Sequence, residues 1–225
     1  MNFDLKENNV RALNQALHED SSSGVKIRVS HPNGKHSVAV GAMYPAEVEI
    51  DGHVGYYCAG MNQHASITVR GNAGSGCAEN MISGRVHILG SASQYCGATA
   101  QGGLLVVEGD TASRCGISMK GVDIVVGGSV GNMSAFMAQS GRLVVCGDAG
   151  EALGDSLYEA RLYVGGEVAS LGTDCIEKPM HDEHRAELQE LLDRAGKSDV
   201  DIAKFRRYGS ARKLYNFNID NAGEY

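Results

Sequence analysis

This sequence of 225 residues has no block rich in Lys and Arg over residues 46–175 and no long apolar run. Its formal net charge is −7 and its pI is near 5.6, a balance that disfavours binding to nucleic acid or to an anionic membrane. No apolar run approaches the length of about 18 residues that a transmembrane helix needs. The first residues, Met1-Asn2-Phe3-Asp4, lack the basic and apolar regions of a signal peptide. These absences predict a soluble, cytoplasmic protein.

Motifs of catalysis and cofactor binding are equally scarce. Glycine-rich strings span residues 71–76 and 127–131, but neither has the Gly-Lys-Ser/Thr ending of a P-loop or leads into a helical pattern. No Ser-His-Asp or Cys-His arrangement can be inferred. His181 and His184 lie on a predicted helix without a complete set of metal ligands, so we interpret them as solvated side chains. We predict no catalytic, cofactor-binding or metal-binding residue in this chain.

Glycine, in contrast, is abundant and regularly spaced. It accounts for 30 of the 225 residues. Seven glycines follow one another at an unbroken spacing of 19 residues: Gly52, Gly71, Gly90, Gly109, Gly128, Gly147 and Gly166. Self-similarity at a fixed period of this length is the sequence signature of a solenoid. The repeat therefore predicts a chain wound into stacked coils.

The positions around each glycine predict the shape of a coil. The residues four and two positions before the glycine are aliphatic in all seven coils, as in Val48 and Ile50. Apolar side chains two residues apart lie on one face of a β-strand. Three and seven positions after the glycine the residues are small, which suits tight corners. These columns predict an all-β solenoid, a parallel β-helix of either hand, roughly 29 Å tall at about 4.8 Å per strand.

Four of the six cysteines occupy one column of the repeat: Cys58, Cys77, Cys96 and Cys115. A ladder that rises about 4.8 Å per coil spreads four sulfurs over about 14 Å, too far for one zinc ion to bind all of them at about 2.3 Å. Neighbouring rungs fall within the Cα separations of disulfides. Because no CxxC pair occurs, we interpret the column as reduced, buried core thiols, with a redox or cluster-binding role as the alternative.

The period divides the chain into three parts. Residues 1–45 precede it and are predicted to cap the first coil, with a short helix that begins after Asn8 or Asn9 and strands around residues 25–29 and 38–40. Residues 46–175 form the β-helix.

The remaining residues, 176–225, are predicted to be a helical tail. An amphipathic helix carries Leu188, Leu191 and Leu192 on one stripe and stops at Gly196, and a shorter helix follows over residues 198–209. These helices are candidates to cover an end or a side of the solenoid.

One outward-facing column changes character along the solenoid. Three positions before each glycine, the residues are polar in the first three coils and apolar in the last four: Glu49, Thr68, His87, Val106, Val125, Val144 and Tyr163. An apolar stripe of this kind needs a cover. Two covers remain open, the chain's own C-terminal helix and a partner protein. We predict Val106, Val125, Val144 and Tyr163 as an interface.

A local basic patch in the tail is a second candidate for the interface. It contains Arg206, Arg207, Arg212 and Lys213, with the aromatic residues Tyr208 and Tyr215 among them. Such a cluster suits a phosphate or an acidic partner surface, and pairing within the chain is the alternative.

The glycine column, with small residues three and seven positions later, resembles the GXGXG domain over roughly residues 46–175. That domain is a right-handed parallel β-helix in the C-terminal part of the glutamate synthase large subunit and in one of the subunits of formylmethanofuran dehydrogenase. The whole chain, including the tail at residues 204–217, looks most like the stand-alone β-helix subunit of glutamate-synthase-like complexes. The closest resemblance is to that of N-methylglutamate synthase, also called methylamine-glutamate N-methyltransferase.

The resemblance implies a structural connector. In such complexes the chemistry belongs to an amidotransferase-like subunit and an FMN-containing synthase-like subunit, so FMN and an iron–sulfur cluster are expected only in partner subunits. The sequence agrees, because Asn2 stands where an N-terminal nucleophile would need cysteine, and no alternation of strands and helices provides a (β/α)₈ barrel for FMN. The alternatives are the β-helix subunit of formylmethanofuran dehydrogenase and a hexapeptide acyltransferase, whose coils are built of hexads.

Overall fold

The 19-residue period of the sequence is also the period of the backbone. A computed structural model, which describes residues 1–19, 21 and 23–213, shows a parallel β-solenoid of about seven turns. Its parallel strands are β1 (Asn2–Asp4), β2 (Val25–Ser30), β3 (Ala46–Asp51), β4 (Ser66–Val69), β5 (Arg85–Ile88), β6 (Leu104–Val107), β7 (Lys120–Val126), β8 (Ser140–Val145) and β9 (Arg161–Val164). The predicted fold class is confirmed.

The remaining elements flank the solenoid. They are α1 (Val10–Leu17) near the N-terminus and, after the last coil, β10 (Cys175–Lys178), α2 (Asp182–Ala195), a 3-10 helix (Ile202–Lys204) and β11 (Arg206–Ser210). No helix in the described part of the chain has the length and apolar character needed to cross a membrane.

Strand pairing aligns the aliphatic columns of the sequence. Ile67 pairs with Val48 in the preceding strand and with Val86 in the next. Both aliphatic columns are at most 1% exposed in every coil, so they form the interior of the solenoid. A second row of parallel bridges, two residues after each glycine, runs from Val54 to Val168 on another side of the coils.

The corners of the coils explain the column of small residues. In each of six coils, left-handed backbone recurs five, seven and nine residues after the glycine, as at Tyr57, Ala59 and Met61 with φ of 60°, 56° and 55°. The middle residue of these three is also fully buried, as at Ala59 and Ala78. Positive φ and lack of space together restrict that position to glycine or alanine.

The glycine column itself has a different cause, because only Gly52 in it has a positive φ. A Cβ at Gly128 would overlap Oδ1 of Asp110 and lie 3.0 Å from the carbonyl carbon of Gly109. Oδ1 of Asp110 accepts the backbone N–H of Ser129 at 2.7 Å. In the same way, the side chain after the preceding glycine occupies the space beside Gly90, Gly109, Gly147 and Gly166.

This pattern repeats along the solenoid as an acceptor ladder, a row of side chains that each accept the N–H 19 residues further on. Its members are His53, Asn72, Ser91, Asp110, Ser129 and Asp148. The sequence contains the information for this ladder, because the residue after each of these glycines has a side chain with a hydrogen-bond acceptor atom.

The N-terminal segment adds a coil with a different spacing. β2 pairs with β3 in parallel, but Val25 lies opposite Ala46, an offset of 21 residues. The predicted strand around residues 38–40 is wrong, because Ser37 and Ala39 have φ of 56° and 57° and form a corner. The predicted N-cap is confirmed at Asn9, whose side chain accepts the N–H of Ala12 at 2.8 Å.

The C-terminal end closes with antiparallel strands. β11 pairs with β9 on one side and β10 on the other, so it covers the edge that the last coil would expose. The predicted helix over residues 198–209 is therefore wrong beyond its first part, where the 3-10 helix stands. An unpaired edge of β9 offers backbone hydrogen bonds that a short exposed helix cannot match. The stop of α2 at Gly196, with φ of 77°, is confirmed.

We predict that Gly128→Ala lowers the free energy of unfolding by about 2 kcal/mol, because the added Cβ overlaps the acceptor ladder. Gly209→Ala is the matched control, since a Cβ there lies 3.5 Å from its nearest neighbour, Cγ of Lys178, and should cost less than about 0.5 kcal/mol. Urea unfolding followed by circular dichroism measures both. Equal stability losses would contradict the steric account.

Candidate interaction site

The apolar stripe on the outer face is covered by the chain itself. Val106, Val125, Val144 and Tyr163 are all 0% exposed. They form a second hydrophobic cluster with side chains of α2 and the residue before β11: Leu188, Leu191, Leu192, Ala195 and Phe205. Of the two covers that the sequence left open, the structure shows the C-terminal helix. These four residues therefore belong to an intramolecular contact between the sheet and α2, one of the two covers that the sequence left open.

A partly buried ionic network, centred on Glu187, runs along one border of α2. Oε2 of Glu187 lies 2.8 Å from Nη1 of Arg161 and 3.2 Å from Nη1 of Arg142, and Oε1 accepts the hydroxyl of Tyr163 at 2.5 Å. Burial would raise the pKa of the Glu187 carboxyl, but the Tyr163 hydrogen bond and the two guanidinium groups hold that pKa below its usual value. Burial raises the pKa of the Tyr163 hydroxyl, and its hydrogen bond to the Glu187 carboxylate raises that pKa further.

Asp123 continues the network towards the C-terminus of α2. Its side chain is 8% exposed and accepts two hydrogen bonds from Arg142, at 2.7 and 2.8 Å, and one from Arg194 of α2 at 3.0 Å. Bidentate arginine–carboxylate pairs are strong and directional. Asp123, Arg142 and Arg161 therefore fix both the position and the rotation of the helix on the sheet.

The opposite border is held by a smaller cluster. The carboxylate of Glu108 lies 2.6 Å from Nζ of Lys197, just after α2, and 2.5 Å from Nε2 of His87. Burial would raise the pKa of Glu108, but these two hydrogen bonds lower it. The helix is thus pinned on both sides.

Between α2 and the starts of β7, β8 and β9 lies an open groove of about 360 Å³. Arg142, Arg161 and Glu187 line it together with Ser140 and Glu159. Charges of both signs pair with one another across its wall, as Arg142 and Arg161 do with Glu187. Chemically, the groove offers polar contacts to another surface.

The predicted basic patch divides into separate environments. Arg207 is 5% exposed and donates from Nε to the carbonyl of Pro179 at 3.1 Å. Arg206 donates to the carbonyl of Gly166 at 3.1 Å. The backbone N–H of Arg212 donates to Oγ of Ser210 at 3.0 Å. The structure therefore does not bring the three arginines together as one accessible cluster, and Tyr215 lies outside the described residues.

The two helix histidines are not both solvated. His184 is 8% exposed, and its Nδ1 accepts the backbone N–H of His181 at 3.2 Å, so it caps the start of α2. Burial and the nearby Arg207 lower the pKa of His184. The interpretation of His184 as a solvated side chain is therefore wrong, because Arg207 and the turn before α2 enclose it. In the described residues, no group of three or more His, Cys, Asp or Glu side chains could hold a metal ion.

The cysteine column lies inside the solenoid. Cys58, Cys77, Cys96 and Cys115 are fully buried and free of disulfides. Hydrogen bonds between neighbouring thiols, together with burial, raise the pKa of Cys58 and Cys96, whereas hydrogen bonds with neighbouring groups lower the pKa of Cys77 and Cys115. The interpretation as buried core thiols is confirmed.

Comparisons with known proteins agree with an architecture shared along the whole chain. No protein-family model matches. The chain is 60% identical over 225 residues to Protein GlxC of Rhizobium meliloti (strain 1021), and the alignment covers 99% of each chain. The chain belongs to the GlxC family. The alignment therefore includes the segments that form the N-terminal coil, the repeat and α2 in this chain.

Sequence reasoning missed the ionic network beneath α2. Its signal was present in part, since Asp123, Arg142 and Arg161 stand 19 residues apart in one column of the repeat. The partners Glu187 and Arg194 are on a helix outside the period, so the pairing becomes visible only once the helix is docked.

We predict that Glu187→Gln destabilises the fold by about 2 kcal/mol, because it removes the charge that neutralises Arg142 and Arg161 at a site where the carboxylate is 15% exposed. Glu190→Gln on the same helix is the control. Its carboxylate is 67% exposed and 4.0 Å from Arg194, so the change should cost less than about 0.5 kcal/mol. Denaturant unfolding measures the loss of unfolding free energy in both variants. Equal losses would contradict the stabilising role of the network.

We also predict acid sensitivity at His184. Because its pKa is lowered on folding, the unfolded chain binds the proton more readily once the pH falls below about 6.5. The contribution of neutral His184 to the free energy of unfolding is therefore present above that pH and is lost below it. His184→Asn, which can keep an acceptor for the His181 N–H, should lose less stability than the natural chain between pH 7.5 and pH 5.5. Identical losses in unfolding experiments at the two pH values would contradict this assignment.

Proposed function

We propose that this chain is the structural connector of a glutamate-synthase-like complex of the N-methylglutamate synthase type. In this proposal it holds an amidotransferase-like subunit and an FMN-containing synthase-like subunit together in the cytoplasm. Amino or methylamino transfer to glutamate takes place in those partners, and FMN and any iron–sulfur cluster are bound there.

The observation that carries the proposal is the coil repeat. The glycine column and the small residue seven positions later, which led to the resemblance with GXGXG domains, both have a structural cause in this chain. The first is required by the close approach of successive coils and the second by a buried left-handed corner. These features specify a rigid rod of stacked strands, which suits a part that fixes the distance between other subunits.

The use of polar groups supports the same role. Glu187, Asp123 and Glu108 are engaged in pinning α2, and the side chains of the acceptor ladder bind neighbouring coils. Catalytic groups, in contrast, face a substrate pocket and keep hydrogen-bonding capacity that is not used within the protein. Most of the polar side chains described above form contacts within this chain and stabilise its fold.

The full-length match to the GlxC relative supports a separate subunit. The alignment covers 99% of that relative's length as well as 99% of this chain. In a complex of this type, the catalytic parts would then be encoded as other chains.

The proposal can be tested by co-expressing an affinity-tagged form of this chain with an amidotransferase-like protein and an FMN-containing synthase-like protein from the same organism. We expect all three chains to co-elute and the eluate to show flavin absorbance. The control is the same pair of partners, one of them tagged, without this chain. A connector predicts that the pair then separates or associates much more weakly.

Two results would overturn the proposal. The first is failure of this chain to co-elute with either partner. The second is co-elution with a molybdenum or tungsten protein, which would indicate the formylmethanofuran dehydrogenase alternative. Flavin absorbance and metal analysis of the same eluate distinguish these outcomes.

A further inference from the structure

Two neighbouring rows of side chains follow the left-handed corner of the coils on the surface of the solenoid. They stand five and nine residues after each glycine of the period, where φ is positive. Asn80 of one row donates to the hydroxyl of Tyr57 in the other at 3.3 Å, and Thr99 donates to Asn80 at 2.6 Å, so the rows lie side by side. We call the two rows over the five coils that start at Gly52, Gly71, Gly90, Gly109 and Gly128, together with Glu79, the corner strip.

The corner strip is poor in charge. Charged residues are 21% of the chain, but Arg114 is the only one in the two rows. Met61 and Met137, at the two ends of the strip, are 43% and 46% exposed. Tyrosine, methionine and arginine are enriched at the centres of protein interfaces, and the flexible thioether packs well against other side chains. The composition of the strip therefore suits contact with another protein surface.

Arg114 is held on the strip by neutral groups. Its guanidinium lies 5.7 Å from the centre of the Tyr95 ring, donates to the Tyr95 hydroxyl at 3.2 Å and donates to Sδ of Met133 at 3.8 Å. Among the residues that the structure describes, no carboxylate forms an ion pair with it. Because the ring and the two hydrogen bonds restrict its motion, the guanidinium can bind a carboxylate from another surface at a small cost in entropy.

Glu79 provides the opposite charge two coils away. Gly76 leaves a space in the first row, and the Glu79 side chain reaches into it, since a Cβ on Gly76 would lie 2.6 Å from Oε2 of Glu79. Partial burial raises the pKa of the Glu79 carboxyl, and in the described part of the chain this carboxylate has no ion pair either. Arg114 lies in the same row about 10 Å away. Each group thus lacks the partner that the other could provide.

The order of these groups is symmetric about the coil of Tyr95. The coil on one side of it carries Glu79 and the coil on the other side carries Arg114, and the next coils outward carry Met61 and Met137. A twofold axis through the Tyr95 coil, in the plane of the strip and perpendicular to the solenoid axis, places Glu79 opposite Arg114 of a second copy. The same axis places Met61 opposite the Met137 of that copy. Each contact then forms twice, as an isologous interface requires.

We propose that the corner strip is the interface of an antiparallel homodimer, in which Glu79 of each copy pairs with Arg114 of the other. The two Tyr95 side chains meet at the axis, and methionines pack at both ends. A second copy fits better than another protein because the strip itself supplies both charges of each ion pair in the required order. The strip is about 19 Å long over its five coils, so we expect a dimer that dissociates on dilution. This dimer does not depend on the proposed connector function.

Charge reversal tests the dimer on the full-length chain, with sedimentation velocity over a series of concentrations. Glu79→Arg and Arg114→Glu each place like charges opposite one another, so each should weaken dimerisation at least about tenfold. An equal mixture of the two variants restores opposite charges at both contacts, and its dimerisation should be within about threefold of that of the natural chain. Glu190→Arg on α2 and Arg11→Glu on α1 are the matched controls and should leave dimerisation unchanged. Circular dichroism shows whether each variant is folded.

Peroxide oxidation of the natural chain is a second test, and it holds even if a charge reversal unfolds the protein. Met61 and Met137 should oxidise more slowly at concentrations that favour the dimer than after dilution, because the second copy covers them. Met1, which is 53% exposed and lies outside the strip, should oxidise equally at both concentrations. Mass spectrometry of the digested chain measures each site.

Three results would overturn the proposal. The first is a natural chain that remains monomeric, with equal oxidation of Met61 and Met137 at every concentration. The second is a mixture of the two charge reversals that dimerises no better than either variant alone. The third is reversals that leave dimerisation unchanged but weaken capture of the amidotransferase-like or synthase-like protein. That result would assign the strip to another protein and would leave the connector function intact.

Discussion

Close approach of successive coils at the glycine corner is the constraint on which this structure depends. At that corner the side chain after one glycine accepts a hydrogen bond from the next coil and fills the space that a Cβ would need there, as Asp110 does beside Gly128. The contact can be made only if every coil has the same length between corners. A fixed length keeps the aliphatic columns in register, and register is what gives the solenoid a continuous core. The glycine column and the acceptor ladder therefore depend on each other.

The same register produces the division of the outer face. The outward-facing column is polar at Glu49 and apolar at Val125. One face of the sheet therefore has an exposed part followed by a part that is covered by α2. The helix α2 fits only the covered part, and charged groups pin it along both of its borders. The chain thereby covers the apolar stripe on its own outer face.

Much of the fold could be predicted from the sequence because the repeat makes local and global information coincide. The strands, the interior columns and the buried thiols all follow from positions relative to one glycine. The parts that could not be predicted are those where the period fails. The coil that starts at Val25 has an offset of 21 residues to the next strand, so the repeat does not reveal it. β11 forms a strand because an edge was free beside β9, which is a property of the assembled sheet. The pairing of Glu187 with Arg142 and Arg161 depends on where α2 docks, and helix periodicity alone does not contain that information.

The most direct measurement of the central claim is a double-mutant cycle between Asp110 and Gly128. The account predicts that Gly128→Ala costs at least about 1 kcal/mol less in an Asp110→Ala background than in the natural chain, because the acceptor that overlaps the new Cβ has been removed. Some cost should persist in the double variant, since the backbone of Gly109 remains 3.0 Å from the Cβ position. Additive losses in urea unfolding would contradict the claim that the acceptor ladder and the glycine column depend on each other.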